Sequence, residues 1–139
     1  LFHLVRDLPE ALVAGREEIY LRWCYRAWAL NPAAIEEEAV QEYVRCFRQP
    51  GAMRAAFEDY RAGATVDLEH DEADRHKKNA VPTLVLWGAG GRPPQAADML
   101  GVWKPRCERV EGYGIPDCGH FIPEEQPAAL IDAILKFVG

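Results

Sequence analysis

An unbroken apolar run, Val81-Pro82-Thr83-Leu84-Val85-Leu86-Trp87-Gly88, dictates the architecture of the second half of this sequence. A short continuous apolar segment bounded by turn residues reads as a strand buried on both faces of a parallel sheet. Gly88-Ala89-Gly90-Gly91-Arg92-Pro93-Pro94 follows as a loop, and Ala96 to Trp103 reads as a short helix. Arg109-Val110-Glu111 begins the next strand, and a closing helix places Ala128, Ile131, Ile134, Leu135 and Val138 on one side. Strand, helix, strand, loop, helix is a parallel α/β order. Two strands are too few for a stable sheet with helices on its faces. The remaining strands are therefore supplied by a partner or, the preferred expectation, lie upstream in a longer protein of which this is a piece. The apolar start Leu1-Phe2-His3, without methionine, raises the same expectation.

The first sixty residues follow a different period. Asp7-Leu8-Pro9-Glu10 is a helix-start signal, with Asp7 as cap, Pro9 in the first turn and Glu10 at capping-box distance. Leu12, Ile19, Tyr20, Trp23, Cys24, Ala27 and Trp28 continue as one helical stripe interrupted only by Gly15, up to Asn31-Pro32. A second helix from about Ile35 carries Val40, Tyr43, Val44 and Phe47. Gln49-Pro50-Gly51 punctuates it, and a third helix repeats the spacing with Met53, Ala56, Phe57 and Tyr60. Residues 63–79 are polar and charged. They read as a link with a short helix in its second half, and as the boundary between two structural units.

Charge and cysteine usage narrow the partners. The 139 residues carry a net charge of −6, which disfavours a nucleic-acid or anionic-membrane surface. No uncharged apolar run approaches a membrane span. Cys24, Cys46, Cys107 and Cys118 show neither Cys-x-x-Cys nor zinc-like spacing, so reduced thiols in a cytoplasmic protein are expected.

Candidate chemistry lies in Val110-Glu111-Gly112-Tyr113-Gly114-Ile115-Pro116-Asp117-Cys118-Gly119-His120-Phe121. A strand-like segment runs into a Gly/Pro loop that presents one histidine. Imidazole is the side chain that changes protonation near neutral pH, as a general base must. Gly119 can take a positive φ and turn the chain just before it. A loop histidine without a task is the competing reading, and His120 lacks a local acid: Asp117 belongs to a turn, where Asp is common for backbone reasons. The glycines after the first strand do not make a dinucleotide fingerprint, because Arg92-Pro93-Pro94 intervenes before any helix. The acids and histidines of Asp67–His76 are explained by a solvated charged segment, so no metal and no cofactor are expected. Tyr60, Trp23 and Trp28 each read as core filler or as cavity wall.

Together, Pro82–Gly88 and Pro116-Asp117-Cys118-Gly119-His120-Phe121-Ile122-Pro123-Glu124-Glu125 resemble the end of an α/β-hydrolase core. Phe57-Glu58-Asp59-Tyr60-Arg61-Ala62-Gly63-Ala64-Thr65-Val66-Asp67 is similar to the cap of the haloacetate dehalogenase and epoxide hydrolase branch. Leu8–Val13 and Tyr43–Pro50 fit the same caps. The resemblance implies an α/β fold in which residues 1–79 are a helical cap segment with its link, and residues 80–139 the C-terminal part of a core whose sheet is incomplete. It implies hydrolysis of a carbon–halogen or epoxide bond in two steps. An aspartate attacks carbon to form an ester, and a histidine activates the water that cleaves it. His120 is then the catalytic base, with Tyr60 as phenol donor to the leaving anion and Trp28 as a second substrate-binding residue.

This sequence departs from the family pattern in three ways. It contains no Gly-x-Asp-x-Gly or Gly-x-Ser-x-Gly elbow, and no carboxylate follows Trp87-Gly88 directly. His3 does not match the family's cap histidine. The segment alone is accordingly expected to be inactive. Its expected partner is a small-molecule substrate, with no nucleic acid or membrane, and a homodimer is allowed for. A serine-type ester or lactone hydrolase and a non-catalytic truncated fragment are the alternatives.

Overall fold

The computed structural model describes residues 2–90 and 99–139. They form two compact units, Leu1–Cys24 with Glu36–His76, and Tyr25–Ile35 with Lys77–Gly139. The units do not follow a single cut at residue 79. Tyr25–Ile35 goes with the second unit because backbone N–H groups of Leu30 and Asn31 are bonded there.

In the first unit a 3-10 turn at Phe2–Leu4 precedes α1 (Leu8–Val13) and α2 (Glu17–Trp28), which continues into the second unit. The single long helix expected from the apolar stripe is thus two. Gly15 at φ 74 breaks it, a conformation glycine adopts without the Cβ penalty, and its N–H is taken by Glu17 Oε1 at 2.8 Å. Asp7 does not cap α1. Its φ of 65 departs from the extended backbone an N-cap needs, and its carboxylate accepts from Arg54 at 3.2 Å instead. Glu10 likewise pairs with Arg61 rather than closing a capping box.

Helices α3 (Glu37–Phe47) and α4 (Ala52–Gly63) match their apolar spacing, separated by Gly51 in the left-handed region. Val13, Met53 and Phe57 form one buried cluster of the core, with Tyr20 and Phe47 packed on it. Arg61 is buried beside that core. Its guanidinium donates to Glu10 at 2.7 and 3.1 Å, to Glu58 at 2.9 Å and to the Val5 carbonyl at 2.6 Å, joining the N-terminal turn, α1 and α4. Helix α5 (Val66–Ala73) occupies the first half of the expected link rather than the second, and every residue of it is exposed.

In the second unit β1 (Thr83–Gly88) and β2 (Val110–Ile115) pair in parallel, from Thr83 opposite Val110 to Gly88 opposite Ile115. This is the only sheet among the described residues. Helix α6 (Met99–Trp103) lies between them in sequence. The loop and helix expected over 91–98 fall outside the described residues. Strand β2 is longer than its apolar letters suggest, because Gly112 continues it: a Cβ there would lie 1.9 Å from the Val85 carbonyl oxygen, so the strands approach too closely for any side chain. In β1 only Val85 and Gly88 are buried, since one neighbouring strand cannot cover both faces. After β2 come α7 (Ile122–Glu125) and α8 (Pro127–Val138). Helix α8 buries Ala133 but leaves Ile131, Ile134, Leu135 and Val138 exposed, more stripe than a two-stranded sheet can face. No described helix is long and apolar enough to cross a membrane.

Candidate active site

The loop from β2 to α7 is shaped by contacts its sequence does not announce. Ile115 and Cys118 are fully buried at its root. Asp117 takes the left-handed conformation, φ 49, which Asp tolerates better than most residues. Gly119 does not, contrary to expectation. It is a glycine for want of space: a Cβ would stand 2.3 Å from the Leu30 nitrogen, 2.8 Å from the Trp28 carbonyl oxygen and 2.9 Å from Glu125 Oε1. Gly88, at the end of β1, meets the other side of the same loop, where a Cβ would fall 1.8 Å from the Gly119 oxygen. Gly90 N–H donates to the Cys118 carbonyl at 2.8 Å, so the chain leaving β1 follows the loop. Burial, helped by the charge on Glu125, pushes the Cys118 thiol up to about 11. All four cysteines are free.

His120 is exposed, on backbone fixed from both sides. Its N–H donates to the Trp28 carbonyl at 3.1 Å. Its ring lies edge-to-face with Trp28 at 5.4 Å and with Phe121 at 5.0 Å. Trp28 and Phe121 are nearly parallel, 6.4 Å apart, and Tyr25 meets Phe121 at 5.4 Å. Two of the three candidate residues, His120 and half-buried Trp28, are therefore brought together across 92 positions of sequence. Among the described residues no carboxylate is hydrogen bonded to the His120 ring, Asp117 included.

Tyr60 belongs to the first unit and has its own surroundings there. It is 47% exposed, so it is not the core tyrosine that its stripe position implied. Its ring stacks on His3 at 4.5 Å and 27°, and His3 stacks in turn on Phe57 at 5.3 Å. His3 Nε2 and the Tyr20 hydroxyl are 2.6 Å apart. Burial holds the His3 imidazole below its usual value and the Tyr20 phenol above its own. Trp23 is exposed and fills no core.

No family model matches the chain. It is 34% identical over 133 residues to the soluble epoxide hydrolase of Corynebacterium sp. (strain C12), covering 94% of this chain and 45% of that protein. It is 30% identical over 120 residues to the fluoroacetate dehalogenase of a Burkholderia species, covering 86% and 39%. Among solved structures, an α/β hydrolase candidate from Nostoc sp PCC 7120 superposes with a TM-score of 0.91 at 45% identity, over 99% of this chain and 47% of that one. The chain belongs to the α/β-hydrolase superfamily. It spans about half the length of the curated relatives it matches.

In this α/β-hydrolase chain one residue of the site escaped the sequence reading. Glu125 is buried in the first turn of α7, and its carboxylate accepts four backbone N–H groups. Oε2 takes Leu30 at 2.8 Å, Asn31 at 3.0 Å and Gly119 at 3.1 Å, and Oε1 takes Phe121 at 3.1 Å. An acid in a first helical turn is ordinarily a solvated dipole partner. Nothing local signals donors 94 and 95 residues away. A cleft of about 240 Å³ lined by Arg26, Ala27, Ala29, Leu30, Pro32 and Gly90 lies on this unit, with His120 outside its lining. Among the described residues no three His, Cys, Asp or Glu side chains converge on a metal-sized point.

Proposed function

We propose that this chain is part of a hydrolase that opens an epoxide or breaks a carbon–halogen bond through an aspartyl ester, with His120 as the base that activates water. The observation that carries the reading is the fixed presentation of His120: backbone tied to Trp28, ring exposed between two aromatics. Similarity to both a soluble epoxide hydrolase and a fluoroacetate dehalogenase supports the pair of substrate classes.

In the first step a carboxylate oxygen attacks carbon, and the carbon–oxygen or carbon–halogen bond breaks as the ester forms. Tyr60 would donate its phenolic hydrogen bond to the departing alkoxide or halide, which suits a half-exposed tyrosine whose ring is braced by His3. In the second step His120 takes a proton from water, and the hydroxide attacks the ester carbonyl. The acyl–oxygen bond then breaks, and the alkoxide takes the proton held by the imidazolium. The aspartic acid so formed gives up its own proton, to the site that protonated the ring-opened alkoxide of an epoxide or to solvent alongside a halide, which restores the carboxylate. Trp28 forms the wall beside the base. The attacking aspartate is not in this chain, which contains no Gly-x-Asp-x-Gly. The isolated chain is accordingly proposed to be inactive.

The test is a His120→Gln variant of the protein obtained by joining this chain to its upstream coding sequence, given a terminal epoxide or fluoroacetate. Ester should accumulate as a covalent mass increase on an aspartate, and turnover should fall by about a thousandfold. Unchanged turnover in the variant, or covalent mass on a serine, would overturn the proposal. So would turnover by the isolated chain that His120→Ala abolishes.

A further inference from the structure

We infer that Glu125 is the positioning residue for His120. It acts as an anionic clip that sets the direction of the base by holding the peptide groups on both sides of it against the end of α2. The inference rests on the reading of His120 as base, and it adds a required charge that the two-step mechanism does not mention.

Three consecutive N–H groups, those of Gly119, His120 and Phe121, are all committed. The outer two donate to Glu125 and the central one to the Trp28 carbonyl. With its backbone fixed on both flanks, His120 keeps only side-chain torsions, and Trp28 and Phe121 restrict those. The same carboxylate holds Leu30 and Asn31, so the segment that carries Trp28 and the segment that carries His120 share one anchor. Glu125 has no cation at ion-pair distance among the described residues, and its charge is met by backbone dipoles alone. Hydrogen bonds of N–H to carboxylate are about twice as strong as those to a neutral acceptor.

An amide cannot replace it. Oε2 accepts three donors, more than the two lone pairs of a neutral carbonyl oxygen serve well. A glutamine that puts its oxygen there turns its NH2 on the Phe121 N–H, donor against donor. The opposite orientation opposes three donors. A purely structural role would ask only for something of the right size at this point, which glutamine is.

The experiment uses the isotopically labelled protein obtained by joining this chain to its upstream coding sequence, wild type and Glu125→Gln, by NMR. In the wild type, the His120 ring should show cross-peaks to Trp28 and Phe121, with slow exchange of the Leu30, Asn31, Gly119 and Phe121 amides. In Glu125→Gln the His3–Tyr20 and β1–β2 signals should persist, the Trp28–His120 cross-peaks should vanish, and the Gly119 and Phe121 amides should exchange about tenfold faster or more. A variant that keeps the cross-peaks and the protection would overturn the inference. If Glu125→Gln fails to fold, Glu125→Asp, which retains the charge, should restore both signals in part; no recovery would refute the anionic clip. In the longer hydrolase, Glu125→Gln should slow ester hydrolysis at least about tenfold while ester formation stays within about twofold, since only the second step uses the base. Equal loss in both steps would refute positioning. Loss of neither step on His120→Gln would refute the base instead, and leave the NMR result on Glu125 standing.

Discussion

Gly119→Ala is the sharpest perturbation of the site that leaves every functional side chain in place. The added methyl would sit 2.3 Å from the Leu30 nitrogen, against about 3.4 Å for ordinary contact, and the opposing atoms are backbone that cannot swing aside. The loop and the end of α2 must part by about 1 Å. Bonds of 2.8 Å (Leu30 to Glu125) and 3.1 Å (Gly119 to Glu125, His120 to Trp28) then stretch beyond bonding distance. At about 1 kcal/mol for the neutral bond and about 2 kcal/mol for each bond to the carboxylate, the loss is roughly 5 kcal/mol. A chain of this size should melt roughly 15 °C lower. The assay is thermal unfolding by circular dichroism, with Gly63→Ala as control. Gly63 ends α4 with nothing within 4 Å of its built Cβ, so its substitution should be neutral or stabilise by up to about 1 kcal/mol. If Gly119→Ala melts as the wild type does and keeps the Trp28–His120 cross-peaks, the crowding argument is wrong.

Two further outcomes concern charge and thiols. The Arg61 hydrogen bond holds the Glu10 carboxyl below the usual carboxylate range, so its stabilisation is complete above the unfolded value and fades as pH falls through the native one. Between about pH 6 and pH 3 the urea midpoint of Glu10→Gln should therefore fall less than that of the wild type, and an equal fall would remove the pair from the acid response. Cys24, Cys107 and Cys118 are buried and Cys46 is exposed, so iodoacetamide at mild pH should label Cys46 first, with the other three following only on unfolding. Early labelling of Cys118 by peptide mapping would contradict its burial.

The helices α3 and α4 were legible because their apolar spacing is local and no glycine or proline breaks it. The same periodicity misled at Gly15, where the stripe resumes in phase on the far side and hides the break. Glycine was harder still to read at 112 and 119. Both letters suggested turns, yet each is small because another backbone passes within van der Waals distance, and that neighbour is remote in sequence. His120 is a candidate from its loop and from family resemblance, and Trp28 beside it only as one reading of two. Glu125 could not be seen, because a carboxylate with four backbone donors looks in sequence like any acid opening a helix. The stripe position of Tyr60 pointed to the core, but its far edge is open because the short α1 and the N-terminal turn cover only part of α4.

The clip also sets an order of events. Leu30 and Asn31 leave the ribosome about 95 residues ahead of the carboxylate that receives their N–H groups, a wait of roughly 5 to 20 s at ordinary translation rates. Closing a loop of that length costs about 4 kcal/mol of chain entropy, which the contacts between its ends must offset. The histidine loop thus cannot be clipped in place before α7 has been made. A nascent chain stalled before α7 would carry His120 with neither its direction nor its neighbour.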